Sequence, residues 1–356
     1  MVIREAIVAA PAPLGTGGLG GAAAEFADGL EALGCRASFV GIPALGPATR
    51  VARSRPFRRL FGKGVGRRAV ARSVRRAVPP DGWDLVWGCP GAAPVERGRG
   101  IRVVHQATRH PALHWEATRR GERETGGHGT ITRAEVRRCE YELRRADIVH
   151  VTSRAVREQL LDAGVEEERI VQADLGVDLG RFRPGRKPEV TTVAFVGPLS
   201  MSKGVDVVAE LAVRLGDEAR VEVVGGPSCR WSRGVVEGAP FVHRDSVAET
   251  LATAHFLVLP SRSDGFSYAV LEALASGAVP IVTPEVGAAE VVRRLDPRLV
   301  VDRAGFAEEV AALLGRLDLG RLAPAARELA EGFDRRRTAP QVASLVLERA
   351  EGLPPR

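Results

Sequence analysis

Residues 261–277 read Ser261-Arg262-Ser263-Asp264-Gly265-Phe266-Ser267-Tyr268-Ala269-Val270-Leu271-Glu272-Ala273-Leu274-Ala275-Ser276-Gly277, one proline after the apolar run Phe256 to Leu259. A short apolar run, a glycine-containing turn, a helical stretch and a closing glycine make one βα unit of a parallel sheet. Between Tyr268 and Ala275 the sole charged side chain is Glu272, flanked by Leu271, Ala273 and Leu274, so the helix reads as buried nearly all round. An unpaired carboxylate there costs several kcal/mol, and the vicinal hydroxyls of a ribose would relieve it with two charge-assisted hydrogen bonds. The competing reading is a glutamate on a narrow wet stripe. Asp264, in the loop before the helix, is expected at the mouth of a crevice beyond the carboxyl edge of the sheet.

The same grammar repeats along the chain. Ala6 to Ala10, Ala37 to Ile42, Leu85 to Trp87, Ile101 to Val104 and Ile148 to Val151 are Val- and Ile-rich strand candidates separated by helical patterns. A second series, Thr192 to Val196, Val221 to Val224, Phe256 to Leu259 and Val279 to Val282, follows the polar segment Arg183 to Pro188. Such alternation predicts an α/β protein with two Rossmann-like parallel sheets, and 356 residues suit two domains. The expected division is 1–183, 184–335 and a tail, 336–356. The helical pattern from Arg335 to Leu347 is free to cross back to the first half.

Composition narrows the function classes. Cys35, Cys89, Cys139 and Cys229 are scattered without a Cys-x-x-Cys pair, which argues against a zinc knuckle or a disulfide framework. No apolar run approaches the roughly 18 residues of a membrane span, and Glu5 in the leader speaks against a secretory signal. A cytoplasmic setting is expected. The net charge of +7 is modest and suits an anionic small substrate better than nucleic acid. Its most basic stretch, Arg50 to Arg76, holds eleven basic residues and no acid. It reads either as a weak contact with anionic lipid at the inner membrane face or as a solvated crossover helix, which Gly62, Gly64 and Gly66 weaken.

Gly15-Thr16-Gly17-Gly18-Leu19-Gly20 follows the first strand and satisfies G-x-G-x-x-G. A dinucleotide site also wants a carboxylate about 20 residues on, and no Asp or Glu lies between Glu31 and Asp81. An NADP-dependent oxidoreductase using an Arg for the 2′-phosphate therefore survives only as an alternative. The physical content that remains is a helix start able to receive phosphate or sugar oxygens, or simply a tight turn. His105, His110 and His114 suggest zinc weakly, because no third ligand of suitable spacing accompanies the last two.

At this point the chain resembles the retaining GT-B glycosyltransferases of family 4. Their mark, P-S-x-x-E-G-F-x-x-x-x-L-E-A-x-A-x-G-x-P-V, is matched by Pro260-Ser261-Arg262-Ser263-Asp264-Gly265-Phe266, by Leu271-Glu272-Ala273 and by Gly277-Ala278-Val279-Pro280. Gly197-Pro198-Leu199-Ser200-Met201-Ser202-Lys203-Gly204 is similar to their G-R-L-x-x-x-K-G, and Leu175-Gly176-Val177-Asp178 with Phe182 to their N-G-V-D-x-x-x-F. Val286-Gly287-Ala288-Ala289-Glu290 is similar to their G-G-x-x-E turn, and Ala146-Asp147-Ile148-Val149 leading to Ser153 to the strand closing their first domain.

The resemblance implies a GT-B fold, two Rossmann-like domains facing across a cleft. It also implies retaining transfer of a sugar from a nucleoside-diphosphate donor, UDP among the candidates, to a small-molecule or glycan acceptor hydroxyl. Lys203 would neutralise the diphosphate and Glu272 hold the ribose, while Asp264 with the Gly265-Phe266 backbone faces the donor sugar. Gly17, Gly18, Gly197 and Ser267 complete the donor side; Gly17, His105 and Arg109 make the acceptor side, with His105 and Asp264 as catalytic groups. His110 to Thr130, with Arg119 and Arg120, would shape the acceptor pocket. No cofactor is implied, and the lack of an Asp-x-Asp motif predicts metal-independent transfer. Two departures stand out. Pro198 occupies the usual Arg position, with Arg262 or Arg230 as candidate replacements, and Asp264 stands for the commoner Glu. They leave a catalytically silent nucleotide-binding subunit as a further alternative.

Overall fold

The structure, a computed structural model, describes residues 3–10, 17–40, 83–89, 100–125, 133–226 and 230–353. The helices are α1 (Gly17–Ala32), α2 (Pro111–Thr125), α3 (Arg133–Arg145), α4 (Arg154–Asp162), α5 (Val205–Leu215), α6 (Arg230–Glu237), α7 (Val247–Thr253), α8 (Tyr268–Ala275), α9 (Ala289–Leu295), α10 (Phe306–Leu314), α11 (Leu319–Glu331) and α12 (Arg335–Glu351). They accompany two parallel sheets in two separate units.

The first unit holds β1 (Glu5–Ala9), β2 (Arg36–Val40), β3 (Leu85–Gly88), β4 (Ile101–Gln106), β5 (Ile148–Val151) and β6 (Ile170–Gln172), in the order β2-β1-β3-β4-β5-β6. Every pairing is parallel. Ala6 to Ala9 are wholly buried, as are Ile148 and Val149, because helices cover both faces of such a sheet and leave its central strands no wet side. The helix α12 returns to this unit. Thr338 Oγ1 donates to Glu25 Oε1 at 2.7 Å, and Gly29 of α1 lies against the Ala339 carbonyl so closely that a Cβ would collide with it.

The second unit holds β7 (Thr191–Val196), β8 (Ala219–Val224), β9 (Phe241–Arg244), β10 (Phe256–Leu259) and β11 (Val279–Val282), in the order β11-β10-β7-β8-β9 and again all parallel. The runs Ile148–Val151, Phe256–Leu259 and Val279–Val282 form strands at the residues their apolar pattern predicts. The edge strands β6 and β9 carry no such pattern. In β9, Val242, His243 and Arg244 are all exposed.

The division follows neither the boundary at 183/184 nor an unbroken 1–183, and it puts the tail 336–356 in the first unit. The first unit comprises Met1–Pro111, Thr132–Leu175 and Arg336–Arg356, and the second Ala112–Ile131 and Gly176–Arg335. The reason is α2, whose side chains engage the second unit. His114 Nδ1 lies 2.8 Å from Ser263 Oγ, and Glu124 Oε2 lies 3.6 Å from Arg262 and 3.3 Å from Arg303.

Candidate functional site

In the second sheet the chain runs from β7 outward to β8 and β9, then jumps back to place β10 on the other side of β7. Loops leaving the carboxyl ends of β7 and β10 therefore diverge, and this reversal is where open α/β sheets leave room for a ligand. The loop after β7 carries Gly197 to Gly204, and the loop after β10 carries Pro260 to Ser267. These are the two stretches that hold most of the expected donor residues.

Lys203 closes a 3-10 turn, Met201–Lys203, and its ammonium is ion-paired with the Asp264 carboxylate. Asp264 is 7% exposed. The close fit of the two loops depends on Gly204, which adopts φ +72° and abuts the Pro260 carbonyl, so a side chain there would meet both a strained backbone and a collision. Gly197 is also left-handed, at φ +139°, and donates to Val224 O at 2.9 Å. Beyond Asp264 the loop is stitched to the turn after β11. Asp264 N donates to Glu285 O, Gly287 N to Asp264 O and Ala288 N to Phe266 O, at 3.1–3.2 Å. The Phe266 ring is buried in the core, so the backbone is what Gly265 and Phe266 offer a ligand.

Ser267 precedes α8 with φ +85°, the one positive φ on a non-glycine residue among those described. A strained residue at a helix start persists where its surroundings over-determine it, and such positions concentrate at ligand sites. Glu272 lies one turn into α8 and is half-buried among Leu271, Ala273 and Leu274, which are wholly buried. Among the described residues its carboxylate has no hydrogen-bond partner; Arg181 acts on it only through its charge. Burial raises its pKa to about 7, with Arg181 pulling the other way.

Arg262 does not replace the cation that Pro198 removes. It is 5% exposed, and its guanidinium grips Asp206 with both ends, Nη1 to Oδ1 at 2.8 Å and Nη2 to Oδ2 at 2.6 Å. Pro198 itself is exposed, and of Arg230 the structure describes only its place at the start of α6.

The first unit holds the remaining predicted residues. Coming directly after the apolar run Ile101 to Val104, His105 reads in sequence as the residue that ends the strand and projects into the crevice. The structure corrects this: β4 continues to Gln106, and His105 is 1% exposed. Strand register sets it beside His150 of β5, with the two Nδ1 atoms 3.1 Å apart and the rings tilted at 4.7 Å. Trp87 stacks on His105 at 5.1 Å, and Phe26 on Trp87 at 5.3 Å. Burial, then the neighbouring imidazole, hold His105 well below the usual histidine range. Burial alone takes His150 down to about 4, with a small opposing effect from the Ala173 backbone. Both rings are neutral, and one proton lies between facing nitrogens. His150 was missed from the sequence because no local pattern marks it; the pairing register reveals it.

Arg109 is half-buried, and its carbonyl accepts from Gln106 Nε2 at 3.0 Å. Gly17 and Gly18 open α1, whereas Gly15 and Thr16, the basic stretch Arg50 to Arg76 and Cys229 lie outside the described residues. Arg119 sits over the Trp115 ring at 5.9 Å, on the helix that clusters with the second unit. No described helix is long and apolar enough to cross a membrane.

Comparison with known proteins agrees with this geometry. Residues 190–316 match the family described as Glycosyl transferases group 1, and residues 16–181 match Glycosyltransferase Family 4. A D-inositol 3-phosphate glycosyltransferase of Geodermatophilus obscurus is 30% identical over 230 residues, covering 54% of this chain and 50% of the relative. One of the same description from Rhodococcus jostii is 31% identical over 211 residues, covering 49% and 46%. The chain thus spans about half the length of the curated relatives it matches. In fold it is similar to sucrose-phosphate synthase of Thermosynechococcus elongatus, with TM-score 0.73 and 16% identity over 97% of this chain and 99% of that one. It is likewise similar to Anabaena HepE in complex with UDP and glucose, with TM-score 0.66 and 15% identity over 99% and 100%. With two Rossmann-like parallel sheets, the signature loop on the second and family matches on both, the chain belongs to the group 1, family 4 glycosyltransferases of the GT-B fold.

Proposed function

We propose that this chain is a retaining, metal-independent glycosyltransferase that moves a sugar from a nucleoside diphosphate, in the first instance UDP, to an acceptor hydroxyl. The observation that carries the reading is Glu272, a half-buried carboxylate without a hydrogen-bond partner among the described residues, on the helix opened by the Asp264 loop. A ribose diol binds the ionised form through two hydrogen bonds and so restores the charge that burial disfavours. The choice of UDP is supported by HepE, whose structure holds UDP and glucose.

In this reading Lys203 meets the diphosphate and Asp264 the donor-sugar hydroxyls. The bond between the anomeric carbon and the phosphate oxygen breaks as oxocarbenium character grows. The acceptor oxygen attacks from the same face, and its proton passes to the departing phosphate. Lys203 and the N–H groups at the start of α8 stabilise the negative charge on that phosphate. The absence of an Asp-x-Asp motif supports leaving this task to fixed donors of the chain. His105 stays assigned to the acceptor side, as a buried imidazole with Nδ1 committed to His150 and no positive charge to offer. Arg109 and Gly17 stay assigned to the acceptor side, and Gly17 and Gly18, at the start of α1, also to the donor. Contact of Arg50 to Arg76 with anionic lipid remains a separate proposal, which failure to float with anionic vesicles at low salt would remove.

The test is a thermal-shift screen with UDP-, GDP- and dTDP-sugars, followed by donor hydrolysis. Glu272→Ala and Lys203→Ala should each lower hydrolysis at least about tenfold while the protein stays folded. Unchanged rates would overturn the reading. Nucleotide binding without any turnover would point to a catalytically silent subunit.

A further inference from the structure

Arg262 stands two residues before Asp264, yet its side chain leads away into the protein. Its backbone N–H donates to Ser202 O at 2.9 Å and that of Ser263 to the same oxygen at 3.4 Å. Its guanidinium donates to Met201 O at 3.0 Å and forks onto Asp206 in the first turn of α5. Ser202 and Met201 are the two residues before Lys203. The loop bearing Asp264 is therefore tied to the loop bearing Lys203 through one arginine. A fourth segment completes the enclosure. Glu124 of α2 lies 3.6 Å from Nη2, and Gly121 of α2 sits so close that a Cβ there would be 2.5 Å from Arg262 Nε and 2.9 Å from Met201 Cγ.

Gly121 interrupts a helix interior, where glycine costs about 1 kcal/mol relative to alanine. The lack of room over the guanidinium accounts for it. An exposed arginine would swing aside for a methyl group, but this one is held by a bidentate carboxylate and is 5% exposed, so it cannot move without losing the fork.

We propose that Arg262, with Asp206 and the α2 face at Gly121, is a positioning clamp that fixes where Lys203 stands relative to Asp264, so that the ammonium meets the diphosphate of the donor. The clamp does not touch the nucleoside. It acts through Lys203, and this inference rests on the donor reading above.

The experiment compares UDP with uridine, the first by titration calorimetry and the second by saturation-transfer NMR, on Arg262→Lys, Asp206→Asn and Gly121→Ala. Arg262→Lys keeps the charge and loses the fork, whereas Gly121→Ala presses on the clamp from the opposite side, so the pair covers the case in which one variant folds poorly. Each variant should weaken UDP about tenfold and leave uridine, held through Glu272, within about twofold of wild type. The Arg262→Lys/Asp206→Asn double variant should lose no more than either single one, as expected of partners in one contact. Unchanged UDP binding, or equal losses for UDP and uridine, would overturn the clamp. Wild-type protein that binds neither UDP, GDP nor dTDP would instead refute the donor reading, and the clamp with it.

Discussion

Lys203 and Asp264, 61 residues apart in sequence, meet as an ion pair between the loops that leave β7 and β10. The side chains are 22% and 8% exposed, so the pair is largely shielded from water. Under the proposed donor reading, a diphosphate and the Asp264 carboxylate compete for one ammonium, in a loop where Pro198 stands at the position of a second cation in the motif this chain resembles. Asp264→Asn should free Lys203 and tighten UDP about three- to tenfold, while sugar transfer falls at least tenfold because the carboxylate is lost to the sugar hydroxyls. Calorimetry and steady-state turnover on the same variant check both halves.

Glu272 is a site residue that should weaken the empty fold. Its folded-state pKa, about 7, lies above the 4.5 of an ordinary glutamate. The contribution of its protonated form to stability is thus complete below pH 4.5 and is lost as pH rises to about 7. Glu272→Gln should make the unliganded protein more stable at pH 8 by ~1–3 kcal/mol, with the gain vanishing near pH 4.5. Urea unfolding at the two pH values measures it, and a destabilised Gln variant at pH 8 would contradict the assignment. The same variant should bind UDP at least tenfold more weakly.

The buried imidazoles give the opposite pH sign. Both fold with lowered pKa values, and an unfolded histidine titrates near 6.5. Stability is full above pH 6.5 and is lost as pH falls toward about 4, the value of His150. Each group contributes a slope of up to ~1.4 kcal/mol per pH unit in that window. His150→Leu should flatten the slope measured by urea unfolding between pH 6.5 and 5. It should also shift the pH profile of sugar transfer if His105 meets substrate.

Two glycine-to-alanine changes should have opposite signs. Gly29→Ala in α1 drives a Cβ into the Ala339 carbonyl of α12 and should destabilise by ~2–4 kcal/mol. Gly234→Ala in α6 meets no atom within 4 Å and should stabilise by ~0.5–1 kcal/mol through helix propensity. Urea midpoints of the two variants test how tightly α12 is seated on α1.

The central strands were legible because burial on both faces writes an uninterrupted apolar run, as in Phe256 to Leu259. Two of the four edge strands were not: β6 spans three residues, and β9 exposes Val242, His243 and Arg244, so neither carries that record. At the site, Glu272 could be read from its apolar neighbours alone, and Lys203 and Asp264 from family-like motifs. The engagement of Arg262 with Asp206 spans 56 residues, and that of His105 with His150 spans 45. Both depend on which strands and loops lie side by side, a property of topology that no local window contains. The placement of α2 on the second unit had no local sign either, since its contacts are with loops more than 70 residues downstream.

The return of α12 has a bearing on biosynthesis. Its residues follow the whole of the second unit in chain order, yet they supply the face on which Gly29 and Glu25 of α1 pack. During translation the face of α1 at Glu25 and Gly29 must wait, uncovered, until α12 leaves the ribosome, while nearly everything the second unit needs has already emerged. The half of the molecule synthesised first is thus the half completed last.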